Sequence, residues 1–141
     1  MSDRSEQDAF VALQKSAGLL MDELSLLLKQ HGLSPPQFNV LRILRGARPE
    51  PLTCGEISSR MITRDSDITR LLDRLDRQGW ISRTRKQVDR RVVRVSITAS
   101  GLALLKSLDV PVLALHRHQF SALGSGKTAA LSRLLNTLSA S

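Results

Sequence analysis

A chain of 141 residues, 41% of them hydrophobic, is long enough for one domain with a core of its own and too apolar for wholesale disorder. Its four aromatic residues (Phe10, Phe38, Trp80 and Phe120, with no Tyr) exclude a large stacking platform for single-stranded nucleic acid. A lone cysteine, Cys54, excludes an internal disulfide and a multi-cysteine zinc site, and the net charge of +8 points towards a polyanionic partner.

That charge is concentrated. Residues 1–59 carry a net −1, residues 60–95 a net +6 and residues 96–141 a net +3. Ten of the eleven bases in the middle segment are Arg, the side chain suited to bidentate phosphate and guanine contacts. A merely solvated basic face is the competing reading. Coincidence of the charge with a motif, described next, argues against it.

In chain order, the spacing first predicts a helix over 5–31. Phe10, Leu13, Ala17, Leu20, Leu24, Leu27 and Leu28 recur at three and four. Leu19, Met21 and Leu26 widen the apolar surface past one stripe, as in a helix that packs on its own domain and on a partner chain. Gly32 ends it. Ser34, followed by Pro35 and Pro36, caps a second helix that buries Phe38, Val40, Leu41, Ile43 and Leu44. Residues 46–51 read as a loop.

Thr53 and Glu56 form a capping box that opens a short helix to about Met61. After a turn, a helix over 64–78 starts on Thr63 or Asp65 and ends at Gly79. Ile68, Leu71, Leu72 and Leu75 make its buried face. Ser66, Arg70, Asp73 and Arg77 lie opposite, with Thr69 and Arg74 on the flanks. A short helix, a turn and an Arg-faced amphipathic helix is the pattern of helix-turn-helix. Strands follow at 80–85 and 92–97, joined by the basic loop 86–91. Thr98 caps a helix over 99–123, which Pro111 should kink or split. Gly124, Ser125 and Gly126 break the chain. A last helix, 127–139, should bury Leu131, Leu134, Leu135 and Leu138.

The fold expected is therefore mainly α with a small two-stranded β-wing. It comprises a winged helix-turn-helix lobe and a helical lobe. The polar, partly acidic N-terminus is unlike a signal peptide. No apolar run approaches the ~20 residues needed to cross a bilayer, so a cytoplasmic protein without membrane partners is expected.

The sequence resembles the MarR family of transcriptional regulators over roughly residues 8–139. Carrying the resemblance are residues 33–41 (LSPPQFNVL), 52–57 (LTCGEI), 68–75 (ITRLLDRL) and 79–83 (GWISR). Most specific is Asp89-Arg90-Arg91 followed by residues 95–101 (VSITASG). The resemblance implies a homodimer, with dimerisation helices at 5–32 and 99–141 and a DNA-binding lobe at 34–98. Within that lobe the helix-turn-helix is 53–78 and the wing 80–98. It also implies a recognition helix in the major groove of double-stranded DNA, a wing in the minor groove, and release by a small anionic or phenolic effector.

Arg70 is the expected base-reading residue, with Ser66 and Thr69 beside it. Arg64, Arg74 and Arg77 read as phosphate clamps or intrahelical ion pairs, and for Arg74 and Arg77 an exposed ion pair is an equal alternative. Arg83, Arg85 and Lys86 are expected on the DNA backbone, and Arg90 and Arg91 in the minor groove. Asp89 is structural, pairing with a wing Arg that the sequence does not identify.

Cys54 sits in the first turn of a helix, where a thiol can be activated. The plainer reading, a half-buried small residue, is preferred. Gly124-Ser125-Gly126-Lys127-Thr128 looks like the end of a phosphate loop, but position 121 is Ser where the motif needs Gly, and no strand precedes it. His116 and His118 lie about 200° apart on a helix and do not converge on a metal. No cofactor, metal site or catalytic set is visible. Two rivals remain at this point: a non-specific architectural DNA-binding protein, and a protein-interaction module.

Overall fold

A computed structural model describes residues 4–62, 67–86 and 89–140. The side chains of Lys86, Asp89, Arg90 and Arg91 lie outside that description. The chain divides into two compact units, Met1–Leu108 and Asp109–Ser141.

In the first unit, α1 (Ser5–Lys29) closes on Gly32, whose φ of 74° only glycine takes without strain. The Gly32 and Leu33 amides donate back to the carbonyls of Lys29 and Leu28. Leu28 is the residue α1 buries; Phe10, Leu19 and Leu26 stay exposed. Helix α2 (Pro35–Ala47) opens on a complete capping box. The Ser34 amide donates to Gln37 Oε1 at 2.9 Å, and the Gln37 amide to Ser34 Oγ at 3.4 Å. It buries Phe38, Val40, Leu41 and Leu44, while Ile43 is half-buried.

The sheet has three strands, not two. β1 (Leu52–Thr53) pairs with β3 (Asp89–Ile97), which pairs with β2 (Ile81–Lys86), all antiparallel. Two residues between Pro51 and a helix cap carry no alternation, so β1 has no periodic signal in the sequence. The wing strands also run further than expected, pairing Lys86 with Asp89, so the loop predicted at 86–91 is mostly strand. Paired residues share a face. Leu52 and Arg83 both pair with Val95, and Ile81 with Ile97; Leu52, Ile81 and Val95 are buried.

Helix α3 is Cys54–Arg60 and α4 is Ile68–Arg77. Thr98 then ties the end of α4 to α5 (Ala99–Gln119). Its Oγ1 donates to the Gly79 carbonyl at 2.6 Å and accepts from the Gly101 amide at 3.1 Å, and its amide donates to the Trp80 carbonyl. Of the two outcomes expected of Pro111, a kink or a split, the split is not found: α5 runs through it. It forfeits one main-chain bond, to the Ser107 carbonyl, which one helix tolerates. Contrary also to expectation, α5 is by length and composition apolar enough to cross a membrane. Its Leu105 and Leu108 are instead fully buried in the first unit.

In the second unit, α5 ends at Gln119 rather than at 123. Residues 120–123 turn, and α6 spans Gly124–Ser139 rather than starting at 127. Gly124 alone takes the left-handed conformation, φ 76°, and Thr128 Oγ1 donates back to its carbonyl. Ser125 and Gly126 are free to be helical. The burial expected of α6 is not found: Leu131 and Leu135 are half-buried, and Leu134 and Leu138 are 70% and 63% exposed. Four leucines at helical spacing mark a face meant for cover, and this single chain does not cover it.

Gly101 packs so closely that a Cβ there would collide with the Trp80 carbonyl oxygen and stand 2.7 Å from Ile97 Cγ1. Gly101→Ala is therefore expected to destabilise the protein by about 1–3 kcal/mol, as overpacking does, lowering the urea midpoint at constant slope. An unchanged midpoint would contradict this packing.

Candidate nucleic-acid interface

Helices of seven and ten residues are too short to persist unaided, so each end of α3 and α4 needs an anchor. Thr53 and Glu56 close the expected capping box. The Glu56 amide donates to Thr53 Oγ1 at 3.2 Å, and the Thr53 amide to Glu56 Oε1 at 3.3 Å. Beyond α3, the Ile62 amide donates to Asn39 Oδ1 on α2 at 2.9 Å, across 23 residues. That latch holds the turn to its neighbour helix, and local sequence gives no sign of it.

The recognition helix begins later than residue 64. Asp67 is its cap, accepting from the Arg70 amide at 3.1 Å. Thr63 and Asp65, the caps expected, and the site residues Arg64 and Ser66 lie outside the described residues. Gly79, φ 78°, stops the helix, and the Gly79 and Trp80 amides return to the carbonyls of Asp76 and Leu75.

The helix buries Leu71, Leu72 and Leu75 and leaves Ile68 half-buried. Thr69, Arg70, Arg74 and Arg77 are exposed. Arg70 and Arg74, one turn apart, line a concavity of about 330 Å³ with Ser34, Pro36, Gln37, Asp67 and Leu71. Two cations, an acid and an apolar floor thus meet where α4 faces the start of α2.

Arg83 pairs with two acids of α4. Its Nε and Nη2 donate to Asp76 Oδ2 at 3.1 and 2.8 Å, and its Nη1 to Asp73 Oδ1 at 2.7 Å. These bonds, Asp76 first and then Asp73, raise the guanidinium pKa above its ordinary value. The two carboxylates are thereby engaged, and Arg74 and Arg77 remain exposed. The signal for this clamp was present. Arg83 lies two residues after buried Ile81, on the same face of β2, and Asp73 and Asp76 are spaced i, i+3 on the helix behind it.

Arg85 is exposed and pairs across the sheet with Val93. The backbones of Lys86, Asp89, Arg90 and Arg91 lie on the wing strands, with their side chains outside the description. Cys54 is half-buried, beside a concavity of about 360 Å³ with Thr53, Gly55, Val92 and Val93. The structure thus brings Thr69, Arg70 and Arg74 to one helix face, and turns Arg83 into the link between that helix and the wing.

A short helix, a latched turn, an Arg-faced helix and a β-ribbon define a winged helix-turn-helix protein. Comparison with known proteins narrows the class. Residues 33–93 match the MarR family. A MarR transcription factor from Planctomyces limnophilus is 37% identical, with a TM-score of 0.76 over 97% of this chain and 99% of its own. A mutant MarR from Escherichia coli, crystallised in complex with operator DNA, is 25% identical, with a TM-score of 0.84 over 97% and 99%. The transcriptional repressor MdtR of Bacillus subtilis is 31% identical over 100 residues, 71% of this chain and 63% of MdtR.

The chain belongs to the MarR family. It is a DNA-binding transcriptional regulator and not an enzyme.

Asp67→Ala is expected to cost about 1 kcal/mol through loss of the cap on α4. Amide hydrogen exchange at Arg70 and Leu71 should accelerate while that of Leu41 does not. Equal protection in both proteins would mean that the cap does not hold the helix.

Proposed function

We propose that this regulator is a cytoplasmic homodimeric repressor that reads a pseudo-palindromic operator, one recognition helix in the major groove of each half-site. The observation that carries this reading is α4. One side of it is buried leucine, and the other offers Thr69, Arg70 and Arg74 to a partner. In that role Arg70 contacts a base edge, guanine O6 and N7 being the acceptors an Arg fork fits. Arg74 and Arg85 sit on phosphates. Arg64, Ser66, Lys86, Arg90 and Arg91 complete the interface in the sequence reading, with Asp89 bracing the wing.

The dimer is supported by apolar faces that one chain leaves open. Phe10, Leu19 and Leu26 on α1 are exposed in the first unit, and Leu134 and Leu138 on α6 in the second. Exposed leucines at helical spacing fit the cover a second copy supplies. MdtR, a repressor, supports the sign of regulation. For release, we place a small anionic or phenolic effector in the concavity lined by Arg70, Arg74 and Leu71. A bound acid there competes with DNA for both arginines, so it favours the unbound state as a population shift requires.

Selection of bound sites from random duplexes, followed by salt titration, tests the reading. The expected winner is a palindrome with half-sites about one helical turn apart, held at least ~10³-fold more tightly than scrambled DNA. Arg70→Ala should cost about 1–3 kcal/mol per half-site and relax preference at one base pair. Equal affinity for both duplexes would leave an architectural DNA-binding protein, and no affinity for either an interaction module.

Sedimentation should give twice the 15.6 kDa of one chain. Leu134→Glu should shift the equilibrium to monomers and weaken operator binding in parallel. A monomeric wild-type protein at micromolar concentration refutes the two-half-site arrangement.

A further inference from the structure

Two acids on a recognition helix are a liability beside a polyanion. Asp73 and Asp76 lie in the middle and last turn of α4, on the helix that carries Arg70 and Arg74. Both are partly exposed, yet both point to one guanidinium on β2, bound through three hydrogen bonds of 2.7–3.1 Å. The arrangement is a fork. Nε and Nη2 close on one carboxylate and Nη1 on the other, so the planar group fixes direction as well as distance. An ammonium would hold the charge without the direction. Strand β2 is one half of the wing ribbon, and α4 is the reading helix. The register of β2 on β3 leaves Arg83 on the face of buried Ile81, turned towards α4.

We infer that Arg83 is a positioning residue for DNA reading: it locks the wing to the recognition helix at one angle and offsets half the charge of the two helix carboxylates, without itself touching DNA. The inference rests on the operator-reading role proposed above. Its force comes from what happens to preference. If Arg83 were a phosphate clamp, removing the acids that hold it would tighten binding to operator and scrambled DNA alike, because a freed cation and two lost acids act on any phosphate backbone. As a clamp on the wing, removing either side loosens the same joint and lowers the preference for operator over scrambled DNA.

The test compares wild type with Arg83→Lys, Asp73→Ala/Asp76→Ala, and the combination Arg83→Gln/Asp73→Ala/Asp76→Ala. Affinities are measured on the selected operator and on a scrambled duplex, across salt concentrations. Arg83→Lys and the double acid variant should each lose about tenfold in preference for the operator over the scrambled duplex, and the triple variant no more than either, as members of one unit do. Affinity for the scrambled duplex should stay within about twofold for Arg83→Lys, and its salt slope should not fall by the ~0.9 that one phosphate contact contributes. The outer faces of Asp73 and Asp76 reach solvent, so the double acid variant keeps its core. It decides the matter even if a position-83 variant folds poorly.

Unchanged or higher operator preference in Asp73→Ala/Asp76→Ala, or wild-type behaviour of Arg83→Lys, overturns the clamp and returns Arg83 to the phosphate backbone. A wild-type protein that binds both duplexes alike defeats instead the sequence-specific role on which the inference rests.

Discussion

Shortness is the constraint on which this structure turns. A helix of seven residues is followed by one of ten, and neither is stable in water by itself. Everything around them supplies what length does not. Thr53 and Glu56 secure the first turn of α3, Asn39 latches the turn after it, and Asp67 opens α4. Gly79 closes α4, and leucines at 71, 72 and 75 press it into the core. The arginines can then be spent on a partner, because none of them is needed to hold the helix.

Charge follows the same division. The basic middle of the chain contains acids that at first look misplaced. Asp67 is a cap, its oxygen taken by an amide. Asp73 and Asp76 are taken by Arg83. Among the described residues, Asp67, Asp73 and Asp76 thus each have a structural partner, and Arg70, Arg74 and Arg77 stay exposed.

Much of this was legible because it is local. The capping box at Thr53, the glycine stops at Gly32 and Gly79 and the leucine face of α4 all lie within one helical turn of the residues that define them. What was hidden is what spans distance or breaks period. β1 is two residues long and exists through pairing with Val95 and Arg94. Asn39 finds Ile62 across 23 residues. The start of α4 was placed too early because Thr63, Asp65 and Asp67 are all plausible caps, and only tertiary fit selects among them. The pairing of Arg83 with Asp73 and Asp76 is hidden from a count of charges and emerges only from the alternation of its strand. The leucines of α6 keep the spacing of a core face, but spacing alone does not say how far such a face is buried, and here it ranges from half-buried to exposed.

Thr53 belongs to two elements at once. Its backbone is the end of β1, and its hydroxyl is the cap of α3. Sheet and reading unit therefore share an atom-level joint with no spacer residue. A gap or insertion at this point cannot be absorbed as loop slack: it shifts strand register and helix start together. In a lineage of such regulators, the length of this junction should be among the least variable dimensions of the chain.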